Sequence, residues 1–428
     1  MQRERRALAA LVAFAFALRL TWVLVASRAD FAANDSLFYW MNANSLAHGD
    51  VYSQTPGIAS ARWPPGYPAV LSVLVRIFGH HPIAGEILNA VLGAVTVLLL
   101  YLLVKPYFGK RVAFIAASML CVMPGPILWT DLLMTETLFT LMLVAFFLLV
   151  LRSRPSFRWA AIIGVYVGLA TLTRSEALIW LTVPLVLWAR EIGWKKVLPR
   201  LAVTGATVLL VLMPWTIRNS RAMGSFVMLS TNGGQTLWAG HNPNADGMQN
   251  YPSPELEASF GTGAEWEINW YKGLQGDAVH YMLTHPLREL ELIPLKLIAL
   301  NRGDSNAFDW LNQEPNRTLG STATAYVSAM ADFAWFVLLA LTLVGVVGLH
   351  RSLWRTRLMV GITAAFGTAL FVYGFLYYGN YRYRLPYEPL MMVVAALVVD
   401  RGWRGLAIIR AADADADAGA ADNGRPGN

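Results

Sequence analysis

Long apolar runs alternate with short charged turns along most of the chain. Residues 8 to 26, 83 to 104, 112 to 129, 137 to 151, 159 to 173, 175 to 189, 201 to 217, 326 to 348, 358 to 378 and 387 to 400 read as membrane-crossing helices, about ten in all. The piece from Tyr67 to Gly79 is different. Its thirteen residues rise only about 20 Å against a hydrocarbon core of about 30 Å, so an interfacial helix is expected there. Charge sets the orientation. Arg3, Arg5 and Arg6 precede the first run, which lacks a convincing cleavage site and starts in the cytoplasm as an uncleaved span. Lys105, Lys110 and Arg111, then Arg152, Arg154 and Arg158, then Arg190, Lys195, Lys196 and Arg200, then Arg351, Arg355 and Arg357, and finally Arg401, Arg404 and Arg410 all fall on the cytoplasmic side. Both termini are then cytoplasmic.

This pattern predicts an all-α polytopic membrane protein. A transmembrane catalytic domain covers residues 1–400, with a first extracytoplasmic loop at 28–82 and a long one at 218–325. The tail, 401–428, interleaves Asp413, Asp415 and Asp417 with alanine and is expected to be a disordered cytoplasmic segment. Composition agrees with the class: 56% of the 428 residues are hydrophobic and 14% charged, far from the mix of a soluble domain. The net charge of +7 is accounted for by the cytoplasmic turns, which argues against nucleic acid as a partner. The single cysteine, Cys121, excludes an intramolecular disulfide. No cofactor is evident; a divalent metal held by His and carboxylates stays open, although His80-His81 has no third ligand at helical spacing.

The extracytoplasmic turns collect Asp35, Arg62, Glu136, Arg174, Glu176, Arg218, Arg382 and Arg384 on one face. Arginines opposite the positive-inside trend need partners, and acid with base on one side suits transfer of a group from a phosphate-bearing lipid. Arginine neutralises a leaving phosphate, and a carboxylate takes the proton from an incoming hydroxyl. Plainer readings stand beside this one. Asp35 also suits the cap of a helix starting at Ser36, Glu136 suits a helix-start dipole, and Arg382 and Arg384 suit lipid headgroups. Trp63, Tyr67, Tyr381 and Tyr383 fit an interfacial aromatic belt, and Gly164 with Gly168 makes a small-residue packing pair.

The motifs Asn34-Asp35-Ser36, Arg62-Trp63-Pro64-Pro65-Gly66-Tyr67-Pro68, Thr135-Glu136-Thr137, Thr173-Arg174-Ser175-Glu176, Pro214-Trp215-Thr216-Ile217-Arg218-Asn219, Ser230-Thr231-Asn232-Gly233-Gly234 and Arg382-Tyr383-Arg384-Leu385-Pro386 run in a fixed order over residues 10 to 400. Together they resemble the polyprenyl-phosphate-sugar-dependent transferases of GT-C fold, which include the lipid A aminoarabinose transferases and the protein O-mannosyltransferases. The resemblance implies a GT-C-like bundle, an inverting glycosyltransferase with Asp35 as base and Glu136 as second acid, and a donor phosphate held by Arg62, Arg382 and Arg384. Trp63, Tyr67, Arg174, Glu176, Arg218 and Asn232 are then substrate-binding candidates. The implied partners are a polyprenyl-phosphate sugar donor, a lipid, glycan or protein acceptor, and membrane lipids; the implied site is the outer face of a bacterial inner membrane. Two departures are visible: Ser36 follows Asp35 where the mannosyltransferases have a second acid, and no large soluble domain follows the last span. A flippase or transporter of lipid-linked saccharides, and a ligase or polymerase using a diphosphate donor, are the rival readings.

Overall fold

In the computed structural model the described residues are 2–26, 35–55, 57–311 and 319–404. Among them the fold is helical apart from one short antiparallel pair, Ser53–Thr55 with Ile58–Ala59. The expected tail from residue 405 onward, and Asn34 of the first-loop motif, lie outside the described residues. Among the described residues five helices are long and apolar enough to cross a membrane: Gln2–Ala26, Ile83–Val122, Trp194–Met223, Ser321–Gly348 and Arg357–Phe375. The helices Glu136–Arg152 and Phe157–Thr171, the run from Ser175 through Ile192, and residues 388–404 supply the other predicted crossing segments at shorter length. The all-α membrane architecture is therefore observed.

The 40-residue helix is a hairpin of two. Gly109, at φ +80°, takes the left-handed conformation that turns the chain at the predicted cytoplasmic basic cluster. Arg19 shows that the two legs run side by side. It is 1% exposed, donates to the carbonyls of Leu120 at 3.0 Å and Cys121 at 3.2 Å, and its Nε occupies the space that a Cβ on Gly93 would fill. A buried arginine whose two terminal nitrogens donate to backbone carbonyls thus ties the first helix to both legs. The small-residue pair packs as expected: a Cβ at Gly164 would stand 2.7 Å from the Thr204 carbonyl, and one at Gly168 would stand 2.7 Å from Val211 Cβ. That lets the Phe157–Thr171 helix lie directly against Trp194–Met223.

The loops are more structured than their turn-rich sequence suggests. The first holds the Asp35–His48 helix, the hairpin, and the predicted interfacial helix at Gly66–Phe78. The second holds helices Asn232–Gly240, Trp266–Thr284 and Pro286–Leu300, with a small core of Trp238, Trp270, Leu274 and Ala278. The preceding span runs on to Met223, so Arg218 and Asn219 sit in its last turns instead of opening the loop.

Candidate functional site

Five charged side chains from four separate turns meet in one ion-pair chain. Arg382 donates from Nε to Glu136 Oε1 at 2.8 Å and from a terminal nitrogen to Asp35 Oδ2 at 3.0 Å. Arg174 donates to the same Glu136 oxygen at 2.8 Å, to Thr135 Oγ1 at 3.0 Å and to Glu176 Oε1 at 2.8 Å. Local structure fixes each member. Asp35 and Glu136 stand in the first turns of their helices, where the backbone dipole favours a carboxylate. Arg382 sits in a short helix capped by Asn380, whose side-chain oxygen accepts from the Arg382 amide at 3.0 Å. Its guanidinium is flanked by Trp310 at 4.5 Å and Trp129 at 5.6 Å. Burial alone would weaken its hold on a proton, but Glu136 and Asp35 outweigh that and push its pKa above the ordinary arginine value. Three carboxylates against two guanidiniums leave the chain with one negative charge in excess.

Above this chain lies a cleft of about 440 Å³ lined by Asp35, Arg174, Glu176 and Arg382, and by Arg62 and Trp63 from the first loop. Gly66 brings those last two residues in. Its amide donates to the Leu172 carbonyl at 2.7 Å, and a Cβ there would collide with Thr173 Oγ1 at 2.5 Å, so the Pro64-Pro65-Gly66 turn docks directly on the turn that carries Arg174. Arg62 differs from the other arginines of the cleft: among the described residues it has no carboxylate partner. It lies 4.8 Å from the Trp270 ring centroid and 6.0 Å from those of Trp63 and Trp266, and donates one bond, to Gln235 Oε1 at 3.3 Å. Its buried Nε is unpartnered. Burial lowers its pKa, with Asp35 and then Glu267 opposing. The result is a desolvated, always-charged cation in want of an anion.

Residues 62–217 match the dolichyl-phosphate-mannose-protein mannosyltransferase family. No curated protein matches the chain in sequence. The oligosaccharyltransferase of Archaeoglobus fulgidus superposes on 95% of the chain with a TM-score of 0.53 at 15% identity. The chain has the GT-C fold. The same archaeal enzyme, AglB, in complex with an inhibitory peptide and a dolichol-phosphate, gives a TM-score of 0.53 at 14% identity over 96% of the chain. In both comparisons the chain spans about half the length of that enzyme, 52%. ArnT from Cupriavidus metallidurans, bound to undecaprenyl phosphate, covers 94% of the chain and 79% of its own length at 14% identity with a TM-score of 0.45.

Within this GT-C bundle the cleft gathers Asp35, Arg62, Trp63, Arg174, Glu176, Asn232 and Arg382, with Glu136 fully buried beneath it. Three other candidates lie elsewhere. Arg384 points away from Arg382 into a buried network with Asp304 at 2.7 Å, Glu388 at 3.1 Å and the carbonyls of Leu300 and Gly303, stacked on Trp335. Tyr67 is fully buried, its hydroxyl donating to Asn89 Oδ1 at 3.2 Å. Arg218 clamps the first-loop hairpin through the carbonyls of Tyr52 and Ser60. The sequence reading did not single out Gln235, Tyr271, Gln275 or Trp310, which complete the cleft wall. The signal for two of them was present: Trp266, Trp270, Leu274 and Ala278 repeat at helical spacing and mark a helix whose next face carries Tyr271 and Gln275. Among the described residues no group of three His, Cys, Asp or Glu side chains is placed to hold a metal ion.

Proposed function

We propose that the protein is a glycosyltransferase that moves a sugar from a polyprenyl-phosphate carrier to an acceptor hydroxyl or phosphate, with inversion, on the outer face of a bacterial inner membrane. The observation that carries this reading is the presence, in one cleft, of a carboxylate, Asp35, and a half-buried guanidinium without an ion-pair partner among the described residues, Arg62. The donor phosphate binds Arg62. Asp35, held in place by Arg382, takes the proton of the acceptor O–H as that oxygen bonds to the sugar's C1. The C1–O bond to phosphate breaks, and its electron pair leaves with the carrier phosphate. Phosphate is already a good leaving group, so one base is enough and no separate acid is needed, unlike the paired carboxylates of glycoside hydrolysis. Arg174 and Glu136 fix Arg382 from below and do not touch the reacting atoms.

A strain lacking the protein tests the reading by mass spectrometry of its lipid-linked sugars and envelope glycans. The expected result is loaded carrier accumulating on the outer leaflet with one glycan modification lost. Carrier stranded on the inner leaflet would instead identify a flippase and overturn the transfer reaction.

A further inference from the structure

We infer that the sugar on the donor carries no charge. This rests on the phosphate-binding reading of Arg62. A sugar whose C1 phosphate sits on Arg62 is necessarily beside Gln235, which is hydrogen-bonded to that guanidinium at 3.3 Å. It also lies beside the helix that brings Trp270 to within 4.8 Å of the same guanidinium. That helix and the Asn232–Gly240 helix are in close contact, since a Cβ on Gly234 would collide with the Tyr271 carbonyl oxygen. Tyr271 and Gln275, four residues apart and so on one face, line the cleft with Gln235. Amides and a phenol both donate and accept, which is the chemistry that reads hydroxyl groups.

Among the described residues no charge on this wall is free to read an ionised sugar. The charged side chains of the cleft are Asp35, Glu176, Arg62, Arg174 and Arg382. Both carboxylates are already paired with arginine, and both remaining arginines with carboxylates. Glu267, on the same helix as Tyr271, is spent on the Ala61 amide at 2.8 Å and the Thr231 hydroxyl at 2.6 Å. On this wall an ammonium on the sugar meets Arg62 and, among the described residues, no carboxylate free of a partner, and a carboxylate on it must compete with the phosphate for that one cation.

The test uses the full-length protein in detergent and four ligands: bare undecaprenyl phosphate, and the same carrier bearing glucose, 4-amino-4-deoxyarabinose or glucuronic acid. Binding is followed by competition against a fluorescent carrier. Among the three sugar carriers, which share one phosphate charge, glucose should bind about tenfold tighter than either charged sugar, the worth of one or two added hydrogen bonds. Gln275→Glu, at an exposed position where folding is not at risk, should weaken the glucose carrier and strengthen the amino-sugar carrier several-fold. If an amino-sugar or uronic-acid carrier binds the parent protein tighter than the glucose carrier, or if all three bind alike, the inference is wrong while the carrier reading stands. If even the bare carrier fails to bind, or binds the Arg62→Ala variant equally well, the carrier reading itself falls, and the inference with it.

Discussion

Replacing Asp35 with asparagine separates catalysis from architecture because the structure bounds both effects. The asparagine side chain would keep an oxygen to accept from Arg382, which remains pinned by Glu136 at 2.8 Å. The change converts one charge-assisted hydrogen bond at a partly exposed site into a neutral one, a loss of about 1 kcal/mol. Asparagine serves a helix start about as well as aspartate, so the Asp35–His48 helix has no reason to unwind. Against this, removing a positioned base lowers turnover by about 10²- to 10⁴-fold, or roughly 3–5 kcal/mol of activation free energy. The kinetic effect is therefore expected to exceed the folding effect several-fold.

The assay is transfer from a synthetic polyprenyl-phosphate sugar, with thermal unfolding measured on the same preparation. Arg382→Lys supplies the partner measurement, since one ammonium cannot serve both Asp35 and Glu136 with the planar fork of arginine. If Arg382 acts through Asp35, the double variant should be little worse than Asp35→Asn alone. A stable Asp35→Asn protein that transfers sugar at the parent rate would refute the catalytic reading and leave Asp35 as the start of a helix.

Arg384→Met should strand Asp304 and Glu388 in a buried network and cost about 3–5 kcal/mol of stability, with donor KM unchanged in whatever folded protein survives; a selective KM effect would put the phosphate there after all. Lys296 is buried against His241 and Glu289, and its pKa is lowered to about 8 by burial, with Glu289 opposing. The unfolded chain thus holds the Lys296 proton to higher pH than the native state, so stability should rise as pH climbs from about 8 to about 10.5, and Lys296→Met should flatten that rise in a thermal-shift series. In a Cys121→Ser background, Asn244→Cys should react with an impermeant thiol reagent in intact cells and Arg154→Cys should not, both positions being exposed; the reverse pattern would invert the topology.

Much of the site was legible because a charge in a membrane chain is expensive and has to be explained. Asp35, Arg62, Glu136, Arg174, Glu176 and Arg382 stood out at the ends of apolar runs, and all six converge. Arg384 was grouped with Arg382 by proximity in sequence. Two residues along a helical turn are rotated by about 200°, so the pair faces opposite ways, one toward the cleft and one toward the interior of the bundle. Arg218 stands among the external charges and Tyr67 in the Arg62 motif, and their surroundings depend on what folds back over them: the hairpin carbonyls of Tyr52 and Ser60 in one case, Asn89 in the other. The His241, Glu289 and Lys296 network escaped notice because His241 lies far along the chain from the other two. Glu289 and Lys296, seven apart on one helix, did share a face that could be read.

The charge distribution of the cleft leads to one further expectation, for Arg62. The ion-pair chain beneath holds one excess negative charge and Arg62 a positive charge with no ion-pair partner among the described residues, so the cleft is polarised. In the proposed reaction the donor phosphate is a diester with a single negative charge before transfer and a monoester carrying about −1.5 to −2 at neutral pH afterwards, with Asp35 having gained a proton. The reaction thus moves negative charge from the acidic pole to the basic one. Arg62, desolvated among three indoles, meets more charge in the transition state than in the bound donor, and its attraction grows as the bond breaks. Arg62→Ala should therefore lower kcat as well as raise KM, with kcat/KM falling by about 10- to 100-fold, the scale of a charge-assisted hydrogen bond. Arg62→Lys should recover part of kcat by restoring the charge without the stacking plane. An Arg62→Ala enzyme with raised KM and parental kcat would show that this cation only anchors the donor, and the idea of charge migrating across the cleft would have to be abandoned.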